Sequence, residues 1–144
     1  MRIYLTCFIM LVLTSSFAYA ENTDIWKDQI LYFVLLDRFY DGNKENCHSA
    51  DKKNLMAFHG GDIAGLEQKL DYLEELGITG IWVSPFIKNR PNAFYGQEAY
   101  HGYWPYDFYK IDERFGSEKE LISLRNSMQK KNMKLLLDMV VNHV

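Results

Sequence analysis

The chain has 144 residues, 48% of them hydrophobic and 15% aromatic, and 16 basic against 19 acidic side chains leave a formal net charge of −3. That length supplies one domain with a sizeable core. The mild acidity offers nothing to a nucleic acid or an anionic membrane surface, and no apolar stretch reaches the roughly 20 residues a membrane-spanning helix needs.

Residues 1–20 read as a secretory signal peptide, with the lone base Arg2, an apolar core Ile3 to Leu13 and the cleavage pattern Ala18-Tyr19-Ala20. An uncleaved anchor is the competing reading. Cleavage would export residues 21–144 to the periplasm or the medium, with no membrane partner. It would leave 15 bases against 19 acids, a net charge of −4. Cys7 departs with the signal, and Cys47 alone cannot form an internal disulfide, so it is expected as a small buried hydrophobe.

Ile30 to Leu36 (ILYFVLL) is an unbroken apolar run that predicts a first strand buried on both faces, ending in Asp37-Arg38-Phe39. Tyr40 to Gly61 is polar, with Asp41-Gly42-Asn43 as a turn. Ile63, Leu66, Leu70, Leu73 and Leu76 then fall at helical spacing, with Asp62 placed to cap the start and Gly77 the end. Ile78 to Ser84 predicts a second strand halted by Pro85, followed by a long aromatic-rich loop from Phe86 to Gly116. Ser117 and Glu120 form a capping box for a second helix with Leu121, Leu124 and Met128 inward, and Lys130, Lys131 and Asn132 suit its end.

Met133 to Val141 predicts the third strand, and LLLDMVVNH, Leu135 to His143, carries polar groups at its C-terminal end. Strict alternation would put Asp138, Val140 and Asn142 on one face, with the direction of His143 left open. The order β-α-β-α-β argues a parallel sheet with right-handed crossovers. Long strand-to-helix and short helix-to-strand connections favour the first three strands and two helices of a (β/α)8 barrel, whose site lies on its strand-to-helix loops. The doubly wound competitor usually carries a Gly-rich phosphate turn after its first strand, and Asp37 to Asn43 holds one glycine.

Three constellations carry possible chemistry. Asp41, Asn43, Asn46, Gly60 and Asp62 offer oxygens that suit calcium rather than zinc, although spacing alone favours a plain turn and a helix N-cap. Tyr100, His101, Tyr103, Trp104, Tyr106, Asp107, Phe108 and Tyr109 crowd one loop, as a platform for a ring-shaped ligand or as a satellite aromatic cluster. Asp138 and His143 in DMVVNH could bind substrate or a metal, although a structural network is the commoner explanation. No serine elbow, CxxC or HExxH pattern supports nucleophilic or zinc chemistry.

Taken in order, DRFYDGN, HGGD, GITGIWVSP, YHGYWPYDFYKIDERFGS and DMVVNH resemble the alpha-amylase family of glycoside hydrolases, over about Asp24 to His143. The YHGYW segment is most similar to the cyclodextrin glucanotransferase and cyclomaltodextrinase-like branches. The resemblance implies a (β/α)8 barrel acting on α-1,4-linked glucans with retention of configuration. Tyr103 would stack on the sugar at the cleaved bond, with His101 and Trp104 nearby. His143 would contact that sugar, and Asp138 would hold the architecture of the site. Asn142 matches a calcium ligand at an inserted domain, and Asp41, Asn43, Asn46, Gly60 and Asp62 match a further calcium site. Cys47 stands where that branch has a second Asn, which removes one oxygen ligand. The family's catalytic carboxylates lie on its fourth, fifth and seventh strands, so the 144-residue chain is expected to lack them and to be inactive. A non-catalytic glucan-binding relative and a small complete α/β binding protein are the rival readings.

Overall fold

The computed structural model describes residues 26–143; the expected signal peptide lies outside them. Three parallel strands form the central sheet: β1 (Leu31–Val34), β2 (Gly80–Val83) and β5 (Lys134–Leu137), in the order β1-β2-β5. Leu31 to Val34 pair with Gly80 to Val83, and these pair in turn with Lys134 to Leu137. Between them lie α1 (Leu36–Phe39), α2 (Ile63–Gln68), α3 (Leu70–Glu75), the short strands β3 (Ile87–Asn89) and β4 (Pro105–Ile111), and α4 (Glu118–Lys130). Adjacent parallel strands joined through helices, with elaborate loops on the C-terminal edge, are the N-terminal part of a (β/α)8 barrel.

The apolar runs behave differently on their two faces. Val34, Ile81 and Val83 are buried and meet the leucine stripe Leu66, Leu70 and Leu73, together with Leu124 and Met128. Phe33 and Trp82, in register on the other face and in edge contact at 5.2 Å, stay 46% and 43% exposed. The expectation that β1 is buried on both faces is therefore corrected. These strands have helices on one side only, and the continuous apolar run reflects a second face that is uncovered among the described residues.

Strand lengths also differ from the periodicity, and hydrogen bonding explains why. β1 ends at Val34 because Leu36 gives its N–H to the buried Ser84 hydroxyl (3.0 Å) and turns into α1. β5 ends at Leu137 rather than Val141: Asp138 makes the last bond, to the Val83 carbonyl (3.0 Å), and β2 then runs into Pro85. The single helix expected from Ile63 is two. Asp62 caps it as expected, through the Gly65 N–H, but the Lys69 N–H turns to the Leu66 carbonyl and tightens the chain there. Leu76, expected on the buried stripe, lies past the last turn and is exposed.

The expected loop Phe86 to Gly116 contains the β3–β4 antiparallel hairpin, whose register shifts on both sides of Lys88. A three-residue strand in a bulged ladder leaves too little alternation to read from sequence. Cys47 is buried in the core and unpaired, and burial raises its thiol pKa, as befits an inert small hydrophobe.

The capping box of α4 is complete: Ser117 Oγ accepts from the Glu120 N–H (3.3 Å) and Glu120 Oε2 accepts from the Ser117 N–H (2.7 Å). Replacing Ser117→Ala is expected to cost about 1 kcal/mol. Urea unfolding followed by circular dichroism would show it as a lower midpoint at unchanged slope; an unmoved midpoint would mean water replaces the cap.

Candidate functional site

The ends of the parallel strands set the floor of a cluster on the C-terminal edge. Asp138 stands one residue beyond β5, and its Oδ2 accepts the Tyr103 hydroxyl at 2.7 Å. His143 Nε2 lies 3.0 Å from the Tyr103 carbonyl oxygen, and His101 Nδ1 accepts the Tyr103 N–H at 3.0 Å. The His101 ring stacks on Tyr103 (centroids 5.9 Å, 21°) and meets Trp104 edge-on (4.6 Å). Tyr103, Asp138, His143, His101 and Trp104, which lie on two separate segments of the chain, therefore converge on one place.

Alternation beyond Leu137 does not hold. Val140 is buried while Asn142 is exposed, 3.5 Å from His143 Nδ1, and Asp138 and His143 both reach Tyr103. Once the ladder stops, nothing enforces a period of two. Burial and the neighbouring Asp138 carboxylate raise the Tyr103 phenol to about 12, so it stays a donor across the working pH range. Burial lowers the His101 pKa and favours the neutral ring that accepts from Tyr103. Beside this cluster a cavity of about 270 Å³ is lined by Arg90, Trp104, Pro105, Tyr106 and His143.

The second cluster joins the β1–α2 connection to the start of α2. Asp62 is fully buried, and its carboxylate accepts N–H groups of Gly42 (3.1 Å), Asn43 (2.9 Å) and Gly65 (2.6 Å) and the Asn46 amide (2.8 Å). Asn43 Oδ1 accepts from Glu45. By contrast Asp41 Oδ1 and Asn46 Oδ1 are buried with no hydrogen-bond partner. Gly60 (φ +92°) backs onto the Asp41 carboxyl, where a Cβ would lie 3.4 Å from its Cγ. Lys52 Nζ approaches Asp41 Oδ2 at 3.6 Å. Among the described residues no three His, Cys, Asp or Glu side chains gather to hold a metal, so a ligand set here mixes at most two carboxylates, Asp41 and Asp62, with amides and carbonyls. The structure keeps Asn142 with His143 and Tyr103, apart from this cluster.

Sequence reading missed the groups that hold these loops. Asp37, buried directly after β1, accepts N–H groups of His59 (2.9 Å) and Gly60 (3.1 Å) and pairs with Arg38. Burial raises its carboxyl despite these donors. Arg38 also reaches the carbonyls of Ala57 and Leu55 and lies 3.8 Å over the Tyr100 ring. The signal was present: a buried strand that ends in adjacent opposite charges needs a local use for them. Asn89, Asp112 and Arg114 in the β3–β4 hairpin gave no such signal.

Residues 33–144 match the family model described as alpha amylase, catalytic domain. Alpha-amylase mde5 of Schizosaccharomyces pombe is 41% identical over 119 residues, 83% of this chain and 22% of that protein. The cyclomaltodextrin glucanotransferase of Klebsiella oxytoca is 46% identical over 127 residues, 82% of this chain and 19% of that protein. The crystal structure of an Anoxybacillus alpha-amylase superposes with a TM-score of 0.77 at 42% identity, covering 83% of this chain and 25% of that one. The chain thus spans a quarter or less of the length of these relatives.

The bond between Tyr103 and Asp138 is measurable by a double-mutant cycle. Tyr103→Phe and Asp138→Asn, alone and together, are expected to show a coupling of about 1 kcal/mol in urea melts. Strict additivity would mean the bond contributes nothing in solution.

Proposed function

The chain belongs to the alpha-amylase catalytic-domain family, and from that premise we propose that it forms the N-terminal part of a catalytic barrel that cleaves or transfers α-1,4-glucosidic bonds by a retaining mechanism. The convergence of Tyr103, Asp138 and His143 on the C-terminal edge carries this reading. The Tyr103 ring offers an apolar face to a pyranose, and its hydroxyl is held by Asp138. His143 stands against the same residue, with Trp104 and the neutral His101 behind it. These groups bind and orient the sugar. Retaining chemistry needs two further carboxyl groups roughly 5 Å apart. Family correspondence assigns these to later strands, so the 144-residue chain binds glucan without hydrolysing it.

Calcium is the proposed cofactor. A hard cation with 6–8 oxygen ligands suits the orphaned Asp41 Oδ1 and Asn46 Oδ1, with the Gly60 carbonyl beside them. Asn43 and Asp62 complete the expected set, although the Asp62 oxygens already serve four donors and Cys47 brings no oxygen. The ion would supply positive charge to buried acceptors and tie the Asp41–Asn46 loop to Gly60. Asn142 is proposed as a ligand of a separate ion. The proposed partner is an α-glucan of exported starch or maltodextrin metabolism, with no nucleic acid. Among the described residues no helix is long and apolar enough to cross a membrane.

Maltoheptaose titrated into the 144-residue chain is expected to bind, Tyr103→Ala and Trp104→Ala are expected to abolish binding, and no reducing ends should appear. Heat on titration unchanged by either substitution would refute the assigned site; release of reducing ends would refute the inactivity. Calcium at about 100 times its Kd is expected to add about 2.7 kcal/mol of stability. Thermal melts should show the gain in the chain and not in Asp41→Ala; an equal gain in both would move the ion elsewhere.

A further inference from the structure

The hairpin that carries Tyr103 and Trp104 is fastened by buried polar side chains to which neither the family correspondence nor the proposed function gives a role. Asn89 and Asp112 are both fully buried. The Asn89 amide is engaged at both ends: Oδ1 accepts the Trp104 N–H at 2.9 Å, and Nδ2 donates to the Ile87 carbonyl at 2.7 Å. Its own N–H goes to Asp112 Oδ2 at 2.9 Å, while the Asp112 N–H returns to the Phe86 carbonyl at 2.9 Å. These bonds sit where the β3–β4 register shifts, so a side-chain amide and a carboxylate take the place of regular ladder rungs.

Asp112 is itself gripped by Arg114, Nε to Oδ1 at 2.8 Å and Nη2 to Oδ2 at 2.6 Å. Burial opposes its ionisation, but this two-pronged pair and the backbone donors hold its carboxyl below the usual range. Arg114 lies 4.3 Å over the Phe58 ring, which packs on Phe115 in the core, and its Nη2 also reaches the Arg90 carbonyl. Arg90 in turn gives its N–H to the Trp104 carbonyl at 3.1 Å. Bonds thus run from the core at Arg114 by two routes, through Asp112 and Asn89 to the Trp104 N–H and through Arg90 to the Trp104 carbonyl.

Tyr103 has little freedom once Trp104 is fixed. Gly102 before it takes φ +83° with the Pro85 carbonyl where a Cβ would stand, and the Tyr103 N–H is tied to His101. We infer that Asn89 and Asp112 are positioning residues for the glucan site, a buried clamp that sets where Trp104 and Tyr103 stand against Asp138. The inference rests on the substrate-site reading above for its ligand, but the clamp has its own signature. Asn89 suits the task because it offers an acceptor and a donor without charge; a carboxylate there would face Asp112.

The test uses the 144-residue chain with two readouts, maltoheptaose affinity and the indole N–H resonance of Trp104, assigned through Trp104→Phe. Asn89→Ala is expected to weaken maltoheptaose about tenfold and to shift or broaden that resonance. Lys88→Ala, which breaks only the outward ion pair with Glu113 on the same hairpin, is expected to do neither. In a Tyr103→Phe background, which keeps the ring but lacks the bond to Asp138, Asn89→Ala should cost clearly less than tenfold, whereas a merely structural role would subtract the same amount again. An unmoved resonance with unchanged affinity, or additive losses, would overturn the clamp. Should Asn89→Ala not fold, Asp112→Asn keeps an oxygen to accept the Asn89 N–H, removes the charge that pairs with Arg114, and carries the same test with a loss of about threefold. If the unaltered chain binds no maltoheptaose, the substrate-site reading falls, and the Trp104 resonance alone decides for or against the clamp.

Discussion

Buried carboxylates that answer backbone N–H groups are the constraint on which this structure turns. Long connections on one edge of a parallel sheet bring many peptide donors out of water, and each needs a partner. Three buried aspartates supply them. Asp37 holds His59 and Gly60, Asp62 holds Gly42, Asn43 and Gly65, and Asp112 holds Asn89 and Arg114. Asp37 lies in the first turn of α1, Asp62 at the start of α2 and Asp112 just past β4, and each collects amides from a distant part of the chain.

That arrangement explains how a floor of plain apolar strands acquires a site. The ladder between β2 and β5 closes at the bond from Asp138 to Val83, which leaves the Asp138 carboxylate at the rim, where the Tyr103 hydroxyl meets it. Tyr103 arrives there from a hairpin fixed to the core 35 residues earlier in the chain. The site is therefore a joint between two independently anchored pieces, and its geometry inherits the rigidity of each.

The same sheet keeps its second face open among the described residues. Phe33 and Trp82 face away from the helices, and in a (β/α)8 barrel that side is the packed interior filled by residues of alternate strands. Their exposure places the unsatisfied apolar surface of these strands on one side and the loop-bound polar groups at one end. Neither competes with the other for the same residues.

The sequence by itself determined the parallel β-α-β-α-β order, the Asp62 and Ser117 caps, the leucine stripe and the family resemblance. Each of these is written in local spacing, where a cap lies three residues from its partner and a helical face repeats within one turn. It also named the residues that meet at the rim. Only the tertiary structure decided that Asp138 and His143 turn to the same tyrosine after the ladder ends. It alone revealed the hairpin inside the aromatic loop, and separated Asp62, whose oxygens are spent on amides, from Asp41 and Asn46, whose oxygens are orphaned. Asn89, Asp112 and Arg114 were illegible for the same physical reason. A buried polar group is defined by partners far along the chain, as Leu36 and Ser84, 48 residues apart, illustrate, and no periodicity along the chain records which donor will be left without water.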